Sequence, residues 1–258
     1  MAEAAHQQPE LTILPDAAQL AQAAVNEFRT AAQSAIAQRG PFTVALSGGN
    51  TPRSVYSMLA SECRQSLDWR KIFIFFGDER HVPPDDPQSN YRMARESLLS
   101  RVPLPEQNIF RVRAELPAQQ AAEDYENTLR SFFQLAPGGF PRFDLLFLGL
   151  GGDGHTASLF PGSAALSEIS RLVVANWVEK FKTFRITLTF PVLNAAAQVI
   201  FLVSGVDKAG IVQEIFTKPQ AAYPSQSVRP RNGRLLWLLD RPAAGLLGES
   251  SNPGSARS

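Results

Sequence analysis

Short, almost unbroken apolar runs alternate with helical patterns along this chain, and that alternation limits the fold more than any other feature. Phe42–Leu46, Lys71–Phe76, Phe143–Leu148, Gln198–Ser204 and Arg234–Asp240 are dense in Val, Ile, Leu and Phe and are bounded by turn residues. Runs of this kind suit strands buried on both faces, as in a parallel sheet covered by helices. Asp16 starts a helix towards Arg39, with Leu20, Ala24, Phe28 and Ala32 on one stripe and Gly40-Pro41 ending it. Pro52 opens the next helix, helical turns cover roughly 88–100, and further helices are expected over 118–134, over 206–217 and after Pro242. Additional strands are expected near Leu11 and over 108–112, 171–176 and 184–190. The pattern predicts an α/β fold: a single doubly wound, mostly parallel sheet with helices on both faces, spanning residues 11–247. Residues 1–10 and 248–258 are small and polar and read as disordered tails.

With 258 residues, 44% hydrophobic and 19% charged, the chain can bury a substantial core. A net charge of +1 offers no bulk attraction to nucleic acid or a membrane, so an anionic ligand must meet locally placed cations. The single cysteine, Cys63, excludes an internal disulfide and a multi-cysteine zinc site, and its apolar surroundings predict an inert buried thiol. Residues 1–10 lack the pattern of a signal peptide, and no run of about 18 apolar residues exists for a membrane helix. A cytoplasmic protein is expected, as a monomer or weak homo-oligomer.

In a doubly wound sheet, ligands bind outside the carboxyl ends of the strands. Three strand ends carry chemistry. After Phe42–Leu46 come Ser47-Gly48-Gly49-Asn50-Thr51-Pro52, where glycines admit a close ligand and Thr51 can cap a helix begun by Pro52. Its free amides make either an anion cradle or a plain strand-to-helix turn. After Lys71–Phe76 come Gly77-Asp78-Glu79-Arg80-His81, an acidic pair with an arginine at a strand mouth, with His81 at the rim. After Phe143–Leu148 comes Gly149-Leu150-Gly151-Gly152-Asp153-Gly154-His155-Thr156. Its glycines satisfy G-x-G-x-x-G, but Asp153 would set a carboxylate against a pyrophosphate, and Pro161-Gly162 leaves too little room for the packed helix of that motif. The topology is therefore Rossmann-like without a dinucleotide site. An imidazole, with a reference pKa near 6.5, exchanges protons at neutral pH, which makes His155 the general-base candidate. Arg185 and Lys208 are candidate anion ligands, while Arg229, Arg231 and Arg234 form a basic cluster that is either site or surface.

Taken together, these segments resemble the 6-phosphogluconolactonases. The likeness runs through Leu46–Pro52, Phe76–Pro83 with Asp86–Tyr91, Asp153–Gly162, Arg185–Asn194, Ser204-Gly205 with Lys208-Ala209, and Leu235–Asp240. The resemblance implies a hydrolase that opens 6-phospho-D-glucono-1,5-lactone in the oxidative pentose phosphate pathway without metal or cofactor. It implies His155 as the base that activates water, with Asp153 orienting it and Arg80 with Asp78 lining the sugar end. Ser47, Gly48, Gly49, Asn50 and Thr51 would cradle the substrate, and Arg185 and Lys208 would clamp its phosphate. Either Arg80 or backbone amides would stabilise the oxyanion.

Two rivals share this scaffold. In glucosamine-6-phosphate deaminases the loop histidine works with a glutamate five residues later, whereas Phe160 stands here and cannot relay a proton. Those enzymes also carry a tyrosine where this chain has Arg80. Sugar-phosphate sensors of transcription regulators add a DNA-binding segment, for which a first strand near Leu11 leaves no room. An acyl-enzyme route through Ser47 would call for a Gly-x-Ser-x-Gly elbow, which the chain lacks.

Overall fold

A computed structural model describes residues 9–248. The expected tails fall almost wholly outside that span, and so does His6; Glu10, placed in the N-terminal tail from sequence, begins a strand.

Six strands form an all-parallel sheet: β1 (Glu10–Leu14), β2 (Phe42–Leu46), β3 (Ile72–Phe76), β5 (Leu145–Leu148), β8 (Gln198–Val203) and β9 (Arg234–Asp240), in the order β1-β9-β8-β5-β2-β3. Every residue of β2 and β5 is buried, so both faces of the sheet centre are covered. Helix α1 (Ala17–Arg39) lays Phe28 edge-on against Phe42 at 5.2 Å. Ala45, three residues on and paired with Phe75, points to the opposite face, where Phe132 at the end of α4 (Ala118–Phe132) packs on Phe75 at 5.0 Å. The stripe Leu20, Ala24, Phe28 and Ala32 is fully buried, and Asp16 caps α1 by accepting from the Gln19 N–H.

The chain steps from β2 outward to β3 and then returns to insert β5 on the other side of β2. That reversal is the switch point at which such sheets open a crevice beyond their carboxyl ends. The loops leaving β2 and β5 flank it.

Several expectations are corrected. Segments 171–176 and 184–190 do not join the parallel sheet. As β6 (Val173–Val178) and β7 (Thr183–Leu188) they form a separate antiparallel sheet in the order β4-β7-β6. Its third strand, β4 (Asp78–Arg80), is the acidic pair and arginine expected only at the mouth of the preceding strand. Segment 108–112 is not a strand: it contributes one bridge, Ile109 to Ile74, after which Arg111 and Arg113 leave to pair with Glu115 and Asp124. Helix α2 (Asn50–Glu62) begins two residues before Pro52, and Gly49 rather than Thr51 takes its cap position, with no side-chain cap. Cys63 is buried, and burial pushes its thiol pKa up, as suits an inert residue.

Two buried tyrosines secure the ends of the strands that carry the site. The Tyr56 hydroxyl, on α2, accepts from the Ser47 N–H and donates to the Ser47 carbonyl, both at 2.9 Å. The Tyr125 hydroxyl, on α4, does the same for Phe76, at 2.8 and 3.0 Å. Each fills backbone valences where the ladder stops, and an unmet buried group costs about 1–3 kcal/mol. Tyr56→Phe is therefore expected to lower unfolding stability by about 1–3 kcal/mol in urea, with an unchanged m-value. Wild-type stability in that variant would refute the clamp.

Candidate active site

The β5 loop is shaped by its own hydrogen bonds. The Gly151 N–H donates to the His155 carbonyl at 2.9 Å, the Gly154 N–H to the Gly151 carbonyl at 3.0 Å, and the Thr156 hydroxyl to the Gly149 carbonyl at 2.9 Å. No α-helix follows before β6 (a 3-10 turn, Ala164–Ser167, is the only helical element), which agrees with the rejection of a dinucleotide fingerprint. The tight turn folds the His155 ring back over Gly151. A Cβ at Gly151 would overlap the imidazole, lying 2.7 Å from its Cγ, so glycine here is what gives the ring its place.

Within this loop, His155 Nδ1 is hydrogen-bonded to Asp153 Oδ1, and its ring stacks on Phe160 with centroids 4.0 Å apart. Partial burial pushes the Asp153 carboxyl up. The hydrogen bond and charge of His155, with Lys180 Nζ 3.7 Å away, outweigh it and hold Asp153 below the usual carboxylate range. An ionised Asp153 sets the proton on Nδ1 and leaves Nε2 as the basic nitrogen. Among the described residues, Nε2 has no hydrogen-bond partner.

At the switch point is a cleft of about 250 Å³ lined by Ser47, Gly48, Asp78, Arg80, Asn90 and, on the β5 side, Gly149, Leu150, Gly151, His155 and Ala157, together with Lys208. Ser47 and Gly48 thus reach the cleft, whereas Gly49, Asn50 and Thr51 fall outside its walls, the last two in the first turn of α2. Gly48 lies so close to the Asn90 amide that a Cβ would overlap it.

Asp78 is more scaffold than binding group. Its carboxylate accepts from the Ser158 hydroxyl at 2.7 Å and from Asn90 Nδ2 at 3.2 Å, which ties the β3, β5 and α3 (Asn90–Ala94) ends of the site together. Neighbouring Glu79 is buried and accepts from the Asn90 and Tyr91 N–H groups at the start of α3; burial still pushes its pKa up. Its role is structural.

The cations sort clearly. Arg80 pairs with Arg185 across the β4–β7 ladder, so the two side chains leave the same face; the Arg80 guanidinium donates to the Gln88 carbonyl and that of Arg185 lies over the Phe181 ring. Among the described residues neither forms a salt bridge. Burial first, and then the charge of Arg80, pushes the Arg185 pKa down. Of the two, Arg80 lines the cleft, and a cation there without a carboxylate partner suits an anionic ligand. Lys208, in the N-cap position of α6 (Ala209–Thr217), has among the described residues only the exposed Asp207 as partner, at 3.3 Å. Arg185 itself does not line the cleft; it reaches the site through Arg80. Arg234 is excluded: it sits at the amino end of β9, the far edge of the sheet, paired with Glu10 and Glu27. Arg229 and Arg231 are tied by their backbone N–H groups to Asn194, also away from the cleft. His81 Nε2 donates to the Leu116 carbonyl at 2.8 Å, and His81 does not line the cleft.

One supporting residue was read from sequence only as the end of the last strand. Asp240, buried at the end of β9, accepts from the Gly205 N–H at 3.1 Å and the Ala243 N–H at 2.8 Å and also binds the Ser204 hydroxyl. It thereby anchors the loop that presents Lys208.

The fold and site together define an α/β protein with a carboxylate-oriented histidine in the same cleft as Arg80 and Lys208, at a switch point. The chain belongs to the glucosamine-6-phosphate isomerase/6-phosphogluconolactonase family, whose family model matches residues 15–237. It is 45% identical over 249 residues to a 6-phosphogluconolactonase of Synechocystis sp., covering 95% of this chain and 99% of that protein. It is 42% identical over 216 residues to 6-phosphogluconolactonase of Rattus norvegicus, covering 81% and 82%. The structure of 6-phosphogluconolactonase from Trypanosoma cruzi superposes with a TM-score of 0.84 at 31% identity, covering 94% of this chain and 99% of that one. A monomeric glucosamine-6-phosphate deaminase shares the fold, with a TM-score of 0.76 at 18% identity. No helix among the described residues is long and apolar enough to cross a membrane.

Proposed function

We propose that this chain hydrolyses 6-phospho-D-glucono-1,5-lactone to 6-phospho-D-gluconate, the lactone-opening step of the oxidative pentose phosphate pathway, with His155 as general base. The observation that carries the reading is the free Nε2 of an Asp153-oriented His155 in the same cleft as Arg80 and Lys208. Relatives named 6-phosphogluconolactonase support the substrate assignment.

In this reading Nε2 takes a proton from water as the water oxygen bonds to the lactone carbonyl carbon. The carbon–ring-oxygen bond then breaks, and the imidazolium returns that proton to the departing oxygen. The new carboxylic acid ionises to the carboxylate. Asp153 keeps Nδ1–H in place and balances the transient imidazolium. Arg80, Arg185 and Lys208 accept the phosphate, and Ser47 and Gly48 bound the sugar. Positioned proton transfer contributes about 10²–10⁴-fold.

Phe160 separates this chemistry from deamination. It occupies the position five residues beyond His155 and stacks on the imidazole, so no carboxylate stands there to relay a proton. The decisive assay compares lactone hydrolysis above the spontaneous rate with deamination of glucosamine 6-phosphate. Lactone hydrolysis alone is expected; deamination in its place would overturn the assignment. Lys208→Ala is expected to raise KM for the lactone by about 10–100-fold, the worth of one charge-assisted hydrogen bond, with a smaller change in kcat. An unchanged KM would remove Lys208 from the phosphate site.

A further inference from the structure

Phe181 is 46% exposed at the tip of the β6–β7 hairpin, a costly place for an apolar ring that the core does not need. Its edge meets Phe160, with centroids 5.9 Å apart and planes at 78°. Phe160 in turn stacks on His155. The same Phe181 ring receives two cations, the Arg185 guanidinium 5.4 Å and the Lys180 ammonium 5.5 Å from its centroid. Lys180 is also the cation beside Asp153. One exposed side chain thus touches the group that sets the plane of the imidazole, an arginine of the anion-accepting pair and the lysine that helps keep Asp153 ionised.

We propose that Phe181 is a positioning residue, the outer ring of an aromatic cluster that holds His155 in its working orientation and joins that orientation to the placement of Arg185. Asp153 grips His155 at one edge only, which leaves the tilt of the ring to Phe160. Phe160 is buried but borders an open cleft of about 820 Å³, lined also by Asp153, Lys180 and Trp177. Phe181 meets its ring edge-to-face and restrains it there. Its two cations are attracted by the ring face, so the hairpin tip is drawn toward both halves of the site at once. This inference rests on the reading of His155 as the base.

The test uses Phe181→Ala and Phe181→Tyr in the full chain, with lactone kinetics, thermal unfolding and the His155 Hε1 resonance, assigned by its loss in His155→Ala. Phe181→Ala is expected to lower kcat about tenfold and raise KM severalfold, since displacing a reacting group by a fraction of an ångström is enough to do so. Its Tm should stay near wild type, because the ring is half exposed. Loosening of the stack should move Hε1 out of the ring-current field of Phe160. Phe181→Tyr, which keeps the ring, should restore all three readouts. Wild-type kcat and KM with an unmoved Hε1 in Phe181→Ala would overturn the proposal, as would a kinetic loss that tyrosine fails to restore. Should wild type show no lactone hydrolysis, the functional reading falls while Hε1 still decides the positioning role: a shift supports it and an unmoved signal refutes it.

Discussion

His155→Ala is expected to lower kcat for lactone hydrolysis by about 10²–10⁴-fold while leaving KM close to wild type, because the base is lost and the phosphate contacts are not. The imidazole is partly exposed, and its Nδ1 is bound only to Asp153, two residues away, so its removal opens no core cavity. Unfolding curves should therefore coincide with wild type, which separates a chemical loss from a folding defect. The lactone also opens unaided, so rates must be read above that background. Full activity in His155→Ala would end the proposed mechanism.

Gly151→Ala is expected to cost about 10²-fold in kcat through a single added methyl group that touches no substrate. Gly151 is not among the glycines with positive φ, so its backbone accepts alanine. The ring of His155 does not: the new Cβ would overlap it and drive it off both Asp153 and Phe160. A displacement of about 1 Å in a reacting group is worth that factor. Gly152→Ala is the matched control, since nothing lies within 4 Å of a Cβ there, and it should keep near wild-type kcat. Equal kinetics in the two variants would show that ring placement does not limit the rate.

Both experiments turn on a loop that was readable from residues 149–156. The β/α alternation, the helix over Asp16–Arg39 and the strands at Phe42–Leu46 and Arg234–Asp240 were legible because hydrophobic period, caps and breakers are local properties. The same locality marked His155, Asp153, Arg80 and Lys208, which follow strands or open helices and so had to face the carboxyl edge of the sheet. It failed where partners lie far apart in sequence. Arg234 reads like any other cation near a strand, and its pairing with Glu10 and Glu27, from distant parts of the chain, is what neutralises it away from the cleft. Asp78-Glu79-Arg80 is too short and too charged to read as a strand, and it becomes one because β7 arrives to pair with it.

From the order of its residues alone, this chain is committed to a covered parallel sheet and to a histidine in a glycine-rich loop at a strand end. Those commitments rest on backbone preference and apolar period, which act over a few residues. The tertiary structure decides what that histidine faces. It sets Arg185 beside Arg80 across a ladder spanning over a hundred residues of chain, seats Phe160 under the imidazole with Phe181 behind it, and ties Lys208 to β9 through Asp240. Strand register and side-chain direction across such separations follow from topology and packing, and neither is written in any local stretch of sequence.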